Sequence, residues 1–222
     1  ASSLLAILND ILDLSKIESG EIHFCQESFD LHKVAKDVLH LFDDIAKEKR
    51  NTLELDWDSR LCNTFLGDSV RISQVLINLL SNASKFTVDG KVVLKVSMTQ
   101  PERQVLFEVV DSGVGIPEDR MEAVFSEFIQ ADSSTSRNYG GTGLGLAIVN
   151  RLVKGMRGEI GLRSKVGVGS TFFFTLPLEA CKEIQPSPGV THSATQKATF
   201  DTNVKGLRAL VVDDNAINLK VA

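Results

Sequence analysis

Gly140-Gly141-Thr142-Gly143-Leu144-Gly145 places four glycines in six residues, and no other stretch restricts the fold and use of this chain so strongly. Glycine loses more conformational freedom on folding than any other residue, so packing alone does not account for such a run. Directly afterwards Leu144, Ala147, Ile148 and Leu152 recur at helical spacing. A glycine-rich loop entering a helix N-terminus offers bare backbone N–H groups and the positive end of a helix dipole, which together suit an anion such as phosphate. The plainer alternative is a glycine-rich turn before an ordinary helix.

The two commonest phosphate loops do not match. A dinucleotide fingerprint needs a third glycine where Leu146 stands and a strand before the loop, but the preceding residues 131–139, Ala-Asp-Ser-Ser-Thr-Ser-Arg-Asn-Tyr, are polar and not strand-like. A P-loop ends in Gly-Lys-Ser/Thr, which is absent. The apolar content of 43% and charged content of 24% are those of an ordinary globular protein. A net charge of −5 gives no reason to expect nucleic acid or an anionic membrane as partner. Cys25, Cys62 and Cys181 are odd in number and lack metal spacing, so they read as reduced cytosolic thiols. No apolar run approaches the roughly 18 residues that span a bilayer, and no signal peptide is present. The 222 residues begin without Met in one helical pattern and stop in another, which predicts a piece of a longer chain.

Residues 2–18 carry Leu4, Leu5, Leu8, Ile11, Leu12 and Ile17 as an apolar stripe that ends near Gly20. This is either a helix docked on the following domain or the tail of a bundle hairpin. An extended segment over residues 21–29 precedes a helix from Leu31 to about Lys49, capped by Asp30, with Leu31, Val34, Ala35, Val38, Leu41, Phe42 and Ile45 as its apolar positions. Residues 53–57 and 64–66 read as strands. A helix capped by Asp68 or Ser69 follows, with Ile72, Val75, Leu76, Leu79 and Leu80 facing the core. Residues 91–98 and 104–110 predict a hairpin, a short helix carries Met121, Val124, Phe125 and Phe128, and residues 158–163 and 170–176 predict a closing hairpin. Helices cluster early and strands come in hairpins, so the fold class expected is α+β, a two-layer sandwich of a mixed, mainly antiparallel sheet on about three helices. Residues 181–204, rich in Pro, Ser, Thr and Gln, read as a linker, and Ala209–Asn215 as a buried strand ending in the acids Asp213 and Asp214.

Asn78 and Asn82 lie four residues apart on one helix face, with Lys85 and Phe86 at the end of the same helix. Carboxamide oxygens can hold Mg²⁺ when phosphates and waters complete its shell, and Lys85 can offer a point charge to phosphate. A backbone-bonded Asn78 and a solvated Asn82 are the competing assignment. Asp111 ends a strand before Gly113 and Gly115; its carboxylate can accept from an exocyclic amine while the glycines let a base lie against the backbone, although Asp-Ser-Gly is also a common turn. The polar residues 132–139 suit a lid, in which Arg137 either reaches a phosphate or is a solvated charge.

In their order these strings resemble the ATP-binding domain of histidine kinases, within the wider group of gyrase, Hsp90 and MutL. Residues 78–87 (Asn-Leu-Leu-Ser-Asn-Ala-Ser-Lys-Phe-Thr) look like the N box, and 111–116 (Asp-Ser-Gly-Val-Gly-Ile) like the G1 box. Residues 125–128 (Phe-Ser-Glu-Phe) look like the F box, 141–146 (Gly-Thr-Gly-Leu-Gly-Leu) like the G2 box, and 167–172 (Gly-Val-Gly-Ser-Thr-Phe) like the last glycine motif. The resemblance covers residues 21–180 and implies ATP or ADP with Mg²⁺ as ligands. It implies Asn82 on Mg²⁺, Asn78 supporting the phosphate site, Lys85 on phosphate, Phe86 lining the base pocket and Asp111 on the adenine amine. Gly113, Gly115 and Ile116 would form the adjoining wall, Gly141, Thr142, Gly143, Leu144 and Gly145 would hold phosphates, and Thr171 would sit near adenine. ATPases of this group carry a water-activating glutamate where Asn78 stands, and an asparagine cannot be that base, so the resemblance favours a kinase over a self-contained ATPase.

Residues 9–20 are similar to the end of the second dimerisation helix of these kinases, and residues 205–222 resemble the start of a receiver domain, with Asp213 and Asp214 as its Mg²⁺ acids. None of His23, His32, His40 and His192 has the context of a phospho-accepting histidine, so all four read as structural or solvated. The expectation is therefore residues 1–20 from a dimerisation domain, 21–180 as the catalytic domain, 181–204 as linker and 205–222 as receiver. Together these would form part of a hybrid sensor histidine kinase in a phosphorelay. Its partners would be ATP, its own phosphoacceptor domain and a receiver or phosphotransfer protein. The parent would be a membrane-anchored homodimer with this part, itself monomeric, in the cytoplasm. A nucleotide-sensing module without phosphotransfer is the alternative from another class.

Overall fold

Two aspartates start the helices on which the fold is built. The Asp30 Oδ1 accepts from the Lys33 N–H at 2.8 Å, and Asp68 accepts from Arg71 N–H on Oδ1 and from Cys25 N–H on Oδ2, both at 3.0 Å. The computed structural model describes residues 24–99, 104–121, 123–125 and 144–181, all within a compact unit spanning Ala1–Glu183. The expected dimerisation helix, most of the lid and glycine loop, the linker and the receiver strand lie outside the described residues.

The elements are β1 (Glu27–Asp30), α1 (Leu31–His40), α2 (Asp43–Glu48), β2 (Thr52–Trp57), β3 (Thr64–Gly67), α3 (Ser69–Phe86), β4 (Lys91–Met98) and β5 (Val105–Asp111). After two 3₁₀ turns, Glu118–Arg120 and Ala123–Phe125, come α4 (Gly145–Gly155), β6 (Glu159–Lys165), β7 (Gly169–Leu176) and β8 (Glu179–Ala180). The main sheet runs β2-β4-β5-β7-β6, with β2 and β4 parallel and the other pairs antiparallel. This is the expected mixed sheet on three main helices, α1, α3 and α4. A second sheet, β1-β3-β8, was not anticipated; its strands have four, four and two residues, too few to carry a periodic signal.

One face of the main sheet meets the helices. Along β5 the buried residues alternate as Val105, Phe107, Val109 and Asp111, and along β7 as Ser170, Phe172, Phe174 and Leu176. Phe107 and Phe174 stack at 4.5 Å with their planes 4° apart, under Ile72, Leu76, Leu79 and Leu80 of α3 and Ile148 and Leu152 of α4. The other face carries cross-strand ion pairs, Lys91–Glu54 at 2.6 Å and Arg163–Glu108 at 2.7 Å.

The helix expected from Leu31 to Lys49 breaks at Leu41 and Phe42. Phe42 takes φ −102° and ψ 0°, which shifts the helical phase. Phe42 and Ala46 thereby turn into the core, whereas Leu41 and Ile45, assigned inward by a single continuous period, are exposed at 64% and 41%. Asp43 and Asp44 then occupy the first turn of α2, where the helix dipole favours them. The helix expected around Met121 and Val124 appears, over its described part, as the two 3₁₀ turns following Pro117. Phe125 of the second turn meets Phe172 edge-on at 6.2 Å.

Candidate functional site

Asp111, Ser170 and Ser164 are register partners on β5, β7 and β6, so they form a row across the end of the sheet on its helix side. Asp111 is 8% exposed. Its Oδ1 accepts from the Gly113 N–H at 2.8 Å and the Ser170 N–H at 3.3 Å. Burial pushes its carboxyl above the ordinary range, and the two backbone N–H groups pull the other way. Both of those bonds use Oδ1, which leaves Oδ2 as the oxygen suited to a ligand amine. The Ser164 Oγ accepts from the Ile116 N–H at 2.8 Å, donates to the Gly169 carbonyl at 3.0 Å and lies 2.9 Å from the Ser170 Oγ. This hydroxyl ties the loop after β5 to the β6–β7 hairpin. Gly115, in the same loop, lies against the Lys165 backbone.

The loop also meets the end of α3. A Cβ on Gly113 would stand 2.5 Å from the Phe86 carbonyl oxygen, so only glycine permits this approach. The end of α3 is held by the segment before β2. The Lys49 Nζ donates to the Ser84 and Lys85 carbonyls at 2.9 and 2.8 Å, and the Asn51 Nδ2 donates to the Thr87 carbonyl at 2.8 Å. These are carbonyls that a helix C-terminus leaves without intrahelical donors. Lys85 lies 4.9 Å from the centre of the Phe86 ring, and burial, reinforced by the Lys49 charge, lowers its pKa.

Farther up α3, Asn78 and Asn82 are both half-buried. The Asn78 Oδ1 stands 2.5 Å from where a Cβ on Gly145 would lie, so the first turn of α4 abuts the carboxamide. Among the described residues no side chain caps the N-terminus of α4, where Leu144 is the N-cap and is buried. A helix start that follows Gly140, Gly141 and Gly143 in the chain suits a phosphate chain. No group of three or more His, Cys, Asp or Glu is found among the described residues. The nearby carboxamide oxygens fit a hard cation that keeps waters and phosphate oxygens in its shell, as Mg²⁺ does.

The structure thus gathers Asn78, Asn82, Lys85, Phe86, Asp111, Gly113, Gly115, Ile116, Leu144 and Gly145 around α3, the end of β5 and the start of α4. Arg137, Gly141, Thr142, Gly143, Asp213 and Asp214 lie outside the described residues. Thr171 is turned by strand alternation to the outer face of the sheet with Phe173, and meets Asp111, Ser164 and Ser170 only through a cavity of ≈ 490 Å³ that all four line at the end of the sheet. The β7 residue beside Asp111 is Ser170, one position earlier, and the phase of the buried Phe172 and Phe174 marks it. Ser164, Lys49 and Asn51 carry no motif signal, because each bonds a backbone group more than thirty residues away in the chain. Of the histidines, His40 meets Asp43 at 3.0 Å and the His32 ring lies 4.7 Å from that of Trp57, both structural or surface contacts. No helix among the described residues is long and apolar enough to cross a membrane.

Residues 67–180 match the family model described as histidine kinase-, DNA gyrase B-, and HSP90-like ATPase. The autoinducer 2 sensor kinase/phosphatase LuxQ of Vibrio vulnificus (strain YJ016) is 38% identical over 221 residues, covering 97% of this chain and 25% of the relative. The hybrid signal transduction histidine kinase K of Dictyostelium discoideum is 38% identical over 230 residues, covering 99% of this chain and 19% of the relative. Among solved structures, full-length ShkA in complex with AMPPNP superposes with a TM-score of 0.72 at 32% identity, over 80% of this chain and 36% of that one. The chain therefore spans a quarter or less of the length of these two curated relatives.

Proposed function

This chain belongs to the family of histidine kinase-, DNA gyrase B- and HSP90-like ATPases, and on that premise we propose that it is the ATP-binding catalytic part of a hybrid sensor histidine kinase in a two-component phosphorelay. The observation that carries the reading is the convergence on α3. Gly113 packs on its end and Gly145 packs on Asn78, so the loop after Asp111 and the first turn of α4 both adjoin this one helix.

In this reading Asp111 Oδ2 accepts from the adenine amine, Gly113 and Ile116 bound the base, and Lys85, Asn78 and the first amides of α4 hold the phosphates. Gly141, Thr142, Gly143 and Arg137 would complete the phosphate site from the lid. Asn82 would hold Mg²⁺, which supplies charge neutralisation on the phosphates when bound. A histidine nitrogen outside the four of this chain attacks the γ-phosphorus, the bond to the β–γ bridging oxygen breaks and ADP leaves. The phosphoryl group then passes from that nitrogen to a receiver aspartate. Asp213 and Asp214 would be the Mg²⁺ acids of that receiver. Residues 1–20, 181–204 and 205–222 would be the dimerisation helix end, linker and receiver start of a homodimeric, membrane-anchored parent with this part in the cytoplasm.

Calorimetry with Mg-ATP and Mg-ADP on the wild type, Asn82→Ala and Asp111→Ala tests the reading. Binding that Asp111→Ala abolishes and that Asn82→Ala makes indifferent to Mg²⁺ is the expected result. A wild-type chain that binds neither nucleotide overturns it, and steady phosphate release by the wild type would favour an ATPase instead.

A further inference from the structure

The Ser164 hydroxyl has three neighbours and one proton. Its oxygen accepts from the Ile116 N–H at 2.8 Å, it points at the Gly169 carbonyl at 3.0 Å, and the Ser170 Oγ lies 2.9 Å away. A serine hydroxyl donates once and accepts twice. With its proton on the Gly169 carbonyl, Ser164 can meet Ser170 only as an acceptor, so Ser170 must donate to it. Ser170 is then left with lone pairs alone. Ser170 is 7% exposed, sits opposite Asp111 in the ladder and already gives its backbone N–H to the Asp111 Oδ1. Directly opposed residues on paired strands hold their Cβ atoms about 5 Å apart. Two acceptors, the Asp111 Oδ2 and the Ser170 Oγ, therefore stand side by side at the end of the sheet.

We infer that Ser164 is a specificity-determining positioning residue. Its one hydroxyl fixes the loop of Gly113–Ile116 to the β6–β7 hairpin and turns Ser170 into an acceptor, so that the site selects a base edge presenting an amine with two donors. The inference rests on the nucleotide reading above and adds to it the origin of base selection. A base presenting a carbonyl at that edge would face two acceptors with no proton between them, and a purine with nothing at that position would leave both unused.

The test compares dissociation constants of Mg-ATP and of Mg-bound purine riboside triphosphate, which lacks the 6-amino group, for the wild-type chain, Ser164→Ala and Ser164→Thr. Ser164→Ala should weaken ATP on the order of tenfold while leaving the amine-free nucleotide within about twofold, and Ser164→Thr, which keeps the hydroxyl, should restore the preference. An equal loss on both nucleotides, or no loss on either, overturns the inference, since a merely structural serine would not distinguish them. Should Ser164→Ala lose its native circular dichroism, Ser170→Ala replaces it. That variant keeps the backbone bond to Asp111 and loses only the hydroxyl acceptor, so the same selective loss is expected and its absence overturns the inference. A wild-type chain that binds neither nucleotide counts against the nucleotide reading itself.

Discussion

Asn78 and Gly145 touch across two helices: the carboxamide oxygen of one stands 2.5 Å from where the other would carry a Cβ. The contact fixes the first turn of α4 against the middle of α3. It also joins the N-box and G2 strings through two residues 67 positions apart in the chain.

Gly145→Ala separates binding from stability. Alanine is the better helix former by up to about 1 kcal/mol, and the atom it meets is the movable end of a side chain. Thermal stability should hold or rise slightly, while displacement of the Asn78 carboxamide should weaken Mg-ATP by about tenfold, ~1.4 kcal/mol. Calorimetry beside a melting curve reads both; unchanged affinity would show that Asn78 does not need this contact.

Asp111 gives the site a pH dependence with opposite signs for folding and binding. Its folded pKa is raised from 3.8 chiefly by burial, so the folded chain binds this proton more tightly than the unfolded one. Its contribution to stability therefore falls as pH rises from the ordinary carboxylate value through the raised one. Nucleotide affinity should rise over the same window, because only the carboxylate accepts on both oxygens. Urea midpoints and ATP titrations over about pH 4 to 7 check this. Asp111→Asn should remove this residue's part of both slopes, and slopes retained in the variant would assign them to another group.

Lys49 should matter although it carries no motif. Lys49→Met leaves the Ser84 and Lys85 carbonyls without its two bonds, a loss of about 1–2 kcal/mol for charge-assisted bonds at a partly buried site. It also removes the neighbouring charge that helps lower the Lys85 pKa, so that pKa should rise. Urea unfolding with NMR titration of the lysine ammonium groups measures the two effects.

Phe107→Ala opens a cavity beneath Phe174 and should destabilise by about 3–5 kcal/mol. The residue sits on the same strand face as Asp111 but four positions away. Where the variant remains folded in dilute urea-free buffer, ATP affinity should stay near wild type; a parallel collapse of binding would mean that the core stack positions Asp111.

Much of the proposed site is legible in order along the chain. Spacing and motif point to Asn78, Asn82, Lys85, Asp111, Gly113 and Gly145 because each lies on one element or close to its end. Thr171 was misplaced because a motif fixes neighbours in sequence but not which neighbour faces inward. That depends on the phase of β7, set by Phe172 and Phe174 packing under the helices. The break at Leu41 and Phe42 escaped for a related reason, since both faces of that stretch offer apolar side chains and the period alone does not choose between them.

The sequence by itself determined the α+β class, the helix starts at Asp30 and Asp68, the hairpins and the glycine-rich stretch that leads into α4. These follow from local rules: caps, two periodicities and the backbone freedom of glycine. Only the tertiary structure decided that Gly145 meets Asn78, that Gly113 meets Phe86, that Lys49 holds the end of α3, and that Ser164 and Ser170 rather than Thr171 stand in line with Asp111. Each of those contacts joins atoms distant along the chain, several through backbone groups that every residue carries, so their partners are chosen by how the sheet and helices pack.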